Sequence, residues 1–304
     1  MKLAFVGSSG YGNVGDDTYP LVFRERLPEH ELIFYNSDLP DALPDDLEGI
    51  FLGGGGLIYC SDLPGLEAHF EYMRHYLDVA IDRGIAWGFV GCGLQVKPRG
   101  DSYHFEALGP WAPYLASAPI LTVRSESCLQ QVRRLSANPL AAYYPDLGYL
   151  FDPIGAGDTS KRRTVTIVPS GCVTPEELDR VLPPFVSVGY DITILSMGAL
   201  CDDDYRIRLL SELYPQARVI TRPTPAEALA TIAGSGYVVA GRYHALVFAR
   251  TARVPFYIPH DAPYKSKQED LRQAPELAAG HIERLRKFLA DYRVERGSNL
   301  AHTS

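Results

Sequence analysis

Short apolar runs rich in β-branched and aromatic residues alternate along the chain with stretches of helical period. In the first half the runs are Leu3–Val6, Leu32–Tyr35, Ile50–Leu52, Ile85–Val90, Ile120–Val123 and Ala142–Tyr144, and the helical stretches include Leu66–Arg83 and Ser125–Leu135. Runs that are apolar throughout predict strands buried on both faces. Their separation by helices predicts a parallel sheet. The segment Phe151–Arg163, "FDPIGAGDTSKRR", breaks the pattern with Gly, Pro and charge and predicts a linker. The pattern then restarts. Strands are predicted at Thr164–Val168, Asp191–Leu195, Arg218–Ile220, Tyr237–Ala240 and Val254–Ile258. Helices are predicted at Glu176–Leu182, Tyr205–Leu213, Ala226–Ala233, Tyr243–Thr251 and Gly280–Arg293.

The chain has 304 residues, which at roughly 100–200 residues per domain fits two. The expected fold is α/β: two doubly wound Rossmann-like domains facing a central cleft, in a GT-B-like layout. The expected boundaries are 1–150 for the first domain, 151–163 for the linker, 164–295 for the second domain and 296–304 for a frayed tail. Ligands of such sheets bind at the carboxyl ends of the strands. Many glycosyltransferases share the layout, a likeness of fold alone.

Charge narrows the partners. The net charge is −8, which repels nucleic-acid phosphates. No nucleic-acid partner is expected, and an anionic small molecule requires cations gathered at one place. The five cysteines, Cys60, Cys92, Cys128, Cys172 and Cys201, show no C-x-x-C spacing and read as buried free thiols. No apolar run reaches the roughly 18 residues of a spanning helix, and the apolar stretch before Gly7 is too short for a signal sequence. The expected location is cytoplasmic, with at most peripheral membrane contact.

Three glycine-rich stretches follow predicted strands. The first, "GSSGYGNVGDD" (Gly7–Asp17), contains G-x-G-x-x-G, but starts it four residues after Val6 and puts Asp16 and Asp17 where a helix should open. Carboxylates there suit a helix N-terminus and oppose a pyrophosphate. Asp38 resembles the ribose-binding acid of a dinucleotide fold only in position, so no nicotinamide cofactor is expected. The other two are "FLGGGGLIY" (Phe51–Tyr59), with Gly54 and Gly55, and "GFVGCGLQ" (Gly88–Gln95). Together the three predict a pocket floor that a substrate backbone or ring can approach.

These stretches also carry a family resemblance. Asn13 with Gly15-Asp16-Asp17, then Gly53-Gly54-Gly55-Gly56-Leu57-Ile58, then Gly91-Cys92-Gly93-Leu94-Gln95 resemble the polysaccharide pyruvyl transferase family in order and spacing. The likeness continues through "LTVRSESCLQQV", "YYPDLGYLF" and "GRYHALVFARTARVPFYIPHDAPYKSK". Its most specific element is Arg242-x-His244-Ala245-Leu246 with Tyr264-Lys265 about twenty residues later. Two positions depart from the family pattern: Arg124-Ser125-Glu126 stands where R-D is usual, and Asp146-Leu147-Gly148 where D-P-A is usual.

The resemblance implies transfer of an enolpyruvyl unit from phosphoenolpyruvate to two hydroxyls of a sugar or lipid-linked glycan acceptor, giving a cyclic ketal and phosphate. No cofactor and no metal are expected, since the sequence shows no cluster of metal ligands. The donor is strongly anionic, and Arg and Lys suit its carboxylate and phosphate. Arg124, Arg242 and Lys265 are the expected donor contacts, and His244 the expected proton-transfer residue, since imidazole titrates near neutrality. Asn13, Asp16, Asp17, Gly54, Gly55 and Gln95 are expected at the acceptor or in bracing its loops. From local sequence alone, Arg124 reads equally as a solvated charge, His244 as a cap or core residue, Lys265 as a surface lysine, and Arg242 as the partner of a structural acid.

Other clusters add little. Asp202-Asp203-Asp204 has D-x-D spacing, but its place before Tyr205 favours helix capping over a metal. His69 and His75 have no third ligand nearby. Two rival functions share the fold: a nucleotide-sugar glycosyltransferase and a non-catalytic glycan- or phosphate-binding protein.

Overall fold

In the computed structural model the apolar runs form two all-parallel sheets. It describes residues 1–36, 42–59, 67–95, 98–99, 102–103, 105–152, 162–198, 203–260 and 271–301. Asp38, Cys60, Cys201, Asp202, Lys265 and most of the expected linker lie outside these residues.

The first sheet comprises β1 (Lys2–Val6), β2 (Glu31–Tyr35), β3 (Gly49–Tyr59), β4 (Ala86–Gln95), β7 (Leu121–Val123) and β8 (Ala141–Tyr143), in the order β2-β1-β3-β4-β7-β8. Between β4 and β7, β5 (Pro98–Arg99) and β6 (Ser102–Tyr103) pair as a small antiparallel ladder. The second sheet comprises β9 (Thr164–Val168), β10 (Asp191–Leu195), β11 (Arg218–Ile220), β12 (Tyr237–Ala240) and β13 (Phe256–Tyr257), in the order β11-β10-β9-β12-β13. Each sheet grows first to one side of its opening strand and then to the other. That reversal marks the doubly wound fold and creates a crevice at the strands' carboxyl ends, between β9 and β12 in the second sheet.

The helices are α1 (Thr18–Arg26), α2 (Glu67–Asp82), α3 (Ala112–Ser117), α4 (Glu126–Ser136), α5 (Pro175–Val181), α6 (Pro183–Val186), α7 (Asp203–Leu213), α8 (Pro225–Ala233), α9 (Tyr243–Thr251) and α10 (Ala279–Ala301). None among the described residues is long and apolar enough to cross a membrane. The first core holds Ile50, Leu52, Phe89, Trp111 and Leu121 against Met73, Tyr76 and Leu77 of α2. The second holds Val165, Ile167, Ile192 and Ile194 against Leu178, Ile207 and Leu210.

The chain divides into two compact units: residues 1–8, 19–147 and 276–304, and residues 9–18 and 148–275. Two segments thus group differently from the expected boundaries. The loop after β1 belongs to the second unit. The closing helix α10 belongs to the first, where His281, Ile282, Leu285 and Leu289 are buried and Phe288 meets Phe51 edge-on. Periodicity gives a helix its apolar stripe but does not say which sheet the stripe covers.

The glycine stretches also differ from expectation. β3 and β4 do not end before their glycines but continue through them, with a register shift between Gly55 and Ile58. Gly54 has φ +75°, a conformation side chains resist, and a Cβ there would strike the Tyr19 ring. The glycines of β3 and β4 admit neighbouring side chains of their own unit rather than forming open loops.

Candidate active site

In the second unit four segments converge where β9, β10 and β12 end. After β9, Ser170 Oγ lies 3.2 Å from Cys172 Sγ. Gly241, after β12, has no Cβ to meet those two side chains, so the two loops close on each other. Arg242 follows. Its Nε donates to Pro169 O at 3.2 Å and its Nη2 pairs with Asp203. Asp203 is fully buried, and its Oδ2 accepts from Gly198 N at 2.9 Å and from Ser196 Oγ and Met197 N at 3.2 Å each. One carboxylate thereby ties the end of β10, the start of α7 and the junction before α9. Asp203 sits in the triple-aspartate stretch read as a cap; its main partners are the preceding loop and Arg242. Nothing in the local sequence joins an aspartate to an arginine 39 residues on.

The fourth segment is the glycine loop after β1. Val14 N donates to Met197 O at 3.1 Å, and Asn13 bridges to Gly198. Asn13 Oδ1 accepts from Gly15 N at 3.2 Å, and its Nδ2 donates to Asp16 Oδ2 at 2.7 Å. Asp17 Oδ1 accepts from Gly10 N at 2.6 Å. Asp16 and Asp17 therefore brace the loop, and α1 opens at Thr18, whose hydroxyl donates to Gly15 O. Burial raises the Asp17 pKa from its ordinary value, and the Gly10 N–H partly opposes the shift.

His244 lies against this loop. A Cβ on Gly15 would fall within its imidazole, so only glycine at 15 lets the ring occupy that place. The half-buried His244 is the second residue of α9, edge-on to Tyr243. Arg242 is the N-cap of α9 and makes no side-chain cap bond. In contrast, α5 and α8 are capped by Thr174 and Thr224. An uncapped helix N-terminus presents N–H groups and partial positive charge to an anion.

Arg124, at the end of β7, lies in the first unit. It is 5% exposed, and its Nη1 lies 3.3 Å from the fully buried Asp146 and 3.4 Å from the Tyr19 hydroxyl. That hydroxyl also reaches Asp146 at 3.1 Å. Gly93 has no Cβ to meet the guanidinium. Gly54 and Gly93 thus serve Tyr19 and Arg124, while Gln95 is the last residue of β4. Asp146 had a sequence signal in "YYPDLGYLF"; Tyr19 had none. The structure groups Asn13, Asp16, Asp17, Arg242 and His244 in one unit and Arg124, Gly54, Gly55 and Gln95 in the other.

The described cysteines Cys92, Cys128 and Cys172 are free and buried, and burial pushes the Cys92 thiol up to about 12. Among the described residues no group of three His, Cys, Asp or Glu side chains stands in metal-binding arrangement.

The sequence pattern of polysaccharide pyruvyl transferases matches residues 22–258. The chain belongs to the polysaccharide pyruvyl transferase family. In this family member the matched span runs from within α1 to just beyond β13 and includes Arg124, Arg242 and His244. No curated protein matches the sequence. Among solved structures, UDP-GlcNAc 2-epimerase from Methanocaldococcus jannaschii is 10% identical over 93% of this chain and 92% of its own, with a TM-score of 0.53. The enzyme from Rickettsia bellii is 7% identical over 96% of each chain, TM-score 0.53. The S. aureus MnaA–UDP co-structure is 9% identical over 95% of this chain and 88% of its own, TM-score 0.54. These likenesses establish a GT-B-like α/β fold for the pyruvyl transferase chain.

Proposed function

We propose that the protein transfers a pyruvyl group from phosphoenolpyruvate to two hydroxyls of a sugar in a polysaccharide or lipid-linked glycan precursor, forming a ketal and releasing phosphate. The observation that carries this reading is His244, seated in the first turn of an uncapped helix at the β9/β12 crevice of a pyruvyl transferase family member. His244 gives a proton to the donor methylene carbon, which makes C2 electrophilic. An acceptor hydroxyl adds at C2 and the C2–O bond to phosphate breaks. The second hydroxyl closes the ketal. Of the two hydroxyl protons, one replaces that given to the methylene and the other leaves with phosphate.

The α9 N–H groups and Lys265 hold the donor anion in this reading. Arg242, tied to Asp203, fixes the turn that carries His244. Arg124, tied to Asp146, acts by holding its own strand end. Asn13, Asp16 and Asp17 orient acceptor hydroxyls from the loop against His244. Phosphate release from phosphoenolpyruvate, dependent on a glycan acceptor and persisting in a chelator, is the expected result. Tight binding of uridine diphosphate with no phosphate release from phosphoenolpyruvate would overturn the assignment.

A further inference from the structure

The second sheet has a polar face that neither its core nor the proposed reaction uses. Along β9 and β10 the residues Val165, Ile167, Ile192 and Ile194 point into the core. Their neighbours Thr164, Thr166 and Thr193 therefore point to the opposite face. Thr193 pairs in register with Thr166 on one side and Arg218 on the other, so these three side chains stand in one cross-strand row. A strand buried on both faces ordinarily carries Val or Ile at such positions. Here the threonine face lines an open cavity of about 580 Å³, whose lining also includes Thr231 of α8, Arg218 and Arg222.

The hydrogen bonding of the row is incomplete. The Thr166 hydroxyl pairs with Ser235 Oγ at 2.6 Å. Thr193 is only 6% exposed, and its hydroxyl has no partner among the described residues. A hydroxyl that opens on such a cavity is available to a ligand or water. Arg218 and Arg222 are exposed at the rim and form no ion pair among the described residues, although the chain as a whole carries net charge −8. Glu227, the acid nearest them in the lining, is already bonded to Thr224 at 2.8 Å. Arg222 holds a left-handed backbone, φ +49°, which sets its direction from a short loop.

We propose that this cavity is a second binding site, for a sugar unit bearing an acidic group. The hydroxyls of Thr164 and Thr193 meet the sugar hydroxyls, and the two arginines take the carboxylate or phosphate. The site needs no step of the proposed reaction and stands independently of it. Two sources supply such a group: a pyruvate ketal on a glycan and a phosphate on a sugar.

Calorimetric titration of the full chain with three probes tests the site: a pyruvate-ketal methyl glucoside, glucose 1-phosphate and neutral methyl glucoside. Saturable binding of at least one acidic probe is expected, with the neutral probe at least about tenfold weaker. Whichever acidic probe binds more tightly identifies the source. The Arg218→Gln/Arg222→Gln variant should lose at least about tenfold in affinity for that probe. Thr193→Val, nearly unchanged in shape, should weaken it about threefold at an unchanged melting temperature. His244→Ala should bind it as wild type does. Absence of saturable binding by either acidic probe, equal affinity for the neutral probe, undiminished affinity in the double variant, or loss of binding in His244→Ala would each overturn the proposal.

Discussion

Two strand–helix junctions use the same parts to different ends. At the end of β7, Arg124 pairs with Asp146; at the end of β12, Arg242 pairs with Asp203. Both aspartates are fully buried, and each arginine packs on a glycine, Gly93 or Gly198, that has no side chain to obstruct it. The helices that follow differ. Before α4, Ser125 stands after the arginine and its hydroxyl accepts from Cys128 N at 3.0 Å, which closes the helix end. Before α9 the arginine is itself the N-cap, with no side-chain cap, and the next turn carries His244. One residue between the arginine and the helix separates an end closed by its N-cap side chain from one whose N-cap side chain makes no such bond.

The open end should show the largest effect when broken. His244→Ala is expected to lower phosphate release at saturating donor by about 10²–10⁴-fold, as for other residues that pass protons in a transition state. Its melting temperature should stay near wild type, because a half-buried ring in the first turn contributes little core. Early melting with normal turnover would make His244 a packing residue and remove the functional difference between the two junctions.

Removing the aspartates tests what the junctions share. Asp146→Ala leaves the Arg124 guanidinium buried without its acid and should cost about 3–5 kcal/mol in denaturant unfolding. Asp203→Ala should cost less, because the Arg242 side chain is 19% exposed against 7% for Arg124 and so reaches water more readily. It should also lower turnover, since the turn before His244 loses its anchor. Arg124→Met combined with Asp146→Leu should recover part of the first loss. Equal losses at both sites would show that exposure does not distinguish the pairs.

Much of this comparison was legible in the sequence, but only one side of each pair. Arg124 and Arg242 were found because each ends an apolar run and precedes a helical period. Asp146 and Asp203 are separated from them by 22 and 39 residues, and no periodicity encodes such contacts. The strands emerged closely because their runs are β-branched or apolar along both faces. Helix α1 was expected only as an opening near Asp16 and Asp17, without bounds: Pro20 lies in its first turn and charged residues interrupt its short apolar set. β3 and β4 were cut short because glycine ordinarily signals a loop, whereas here it admits Tyr19 and Arg124. The loop after β1 gave no sign that it would group with the second unit, since that depends on backbone bonds to Met197 and Gly198.

The Asp146 junction has one neighbour its counterpart lacks. His281 is fully buried; its Nε2 donates to Pro145 O at 3.0 Å, and Thr122 donates to its Nδ1 at 2.8 Å. Thr122 Oγ1 in turn accepts from Gly91 N at 2.9 Å. Burial lowers the His281 pKa to about 4 from an ordinary value of 6.5, with Asp146 partly opposing the shift. The unfolded chain therefore takes up a proton at higher pH than the folded one. Stability from this residue is full above about 6.5 and is lost as the pH falls toward about 4, by roughly 3 kcal/mol in total. His69, whose pKa burial also lowers, contributes with the same sign. Unfolding free energies at several pH values should therefore slope downward over that window, and the slope should shrink in His281→Gln. An unchanged slope would place the acid sensitivity elsewhere.

The smallest expected effect isolates the cap itself. Ser125→Ala removes the acceptor for Cys128 N and should cost about 1 kcal/mol, read as a lower urea midpoint at unchanged slope. Ser125→Gly should cost only a few tenths of a kcal/mol, because glycine leaves the first N–H groups open to water. Thr224→Ala, which breaks the reciprocal cap of α8, should resemble Ser125→Ala. All three should leave turnover per folded molecule unchanged, since each cap serves a helix remote in role from proton transfer. If Ser125→Ala instead reduced turnover strongly at full stability, the closed junction would have a part in the chemistry, and the contrast between α4 and α9 would no longer be one of structure against function.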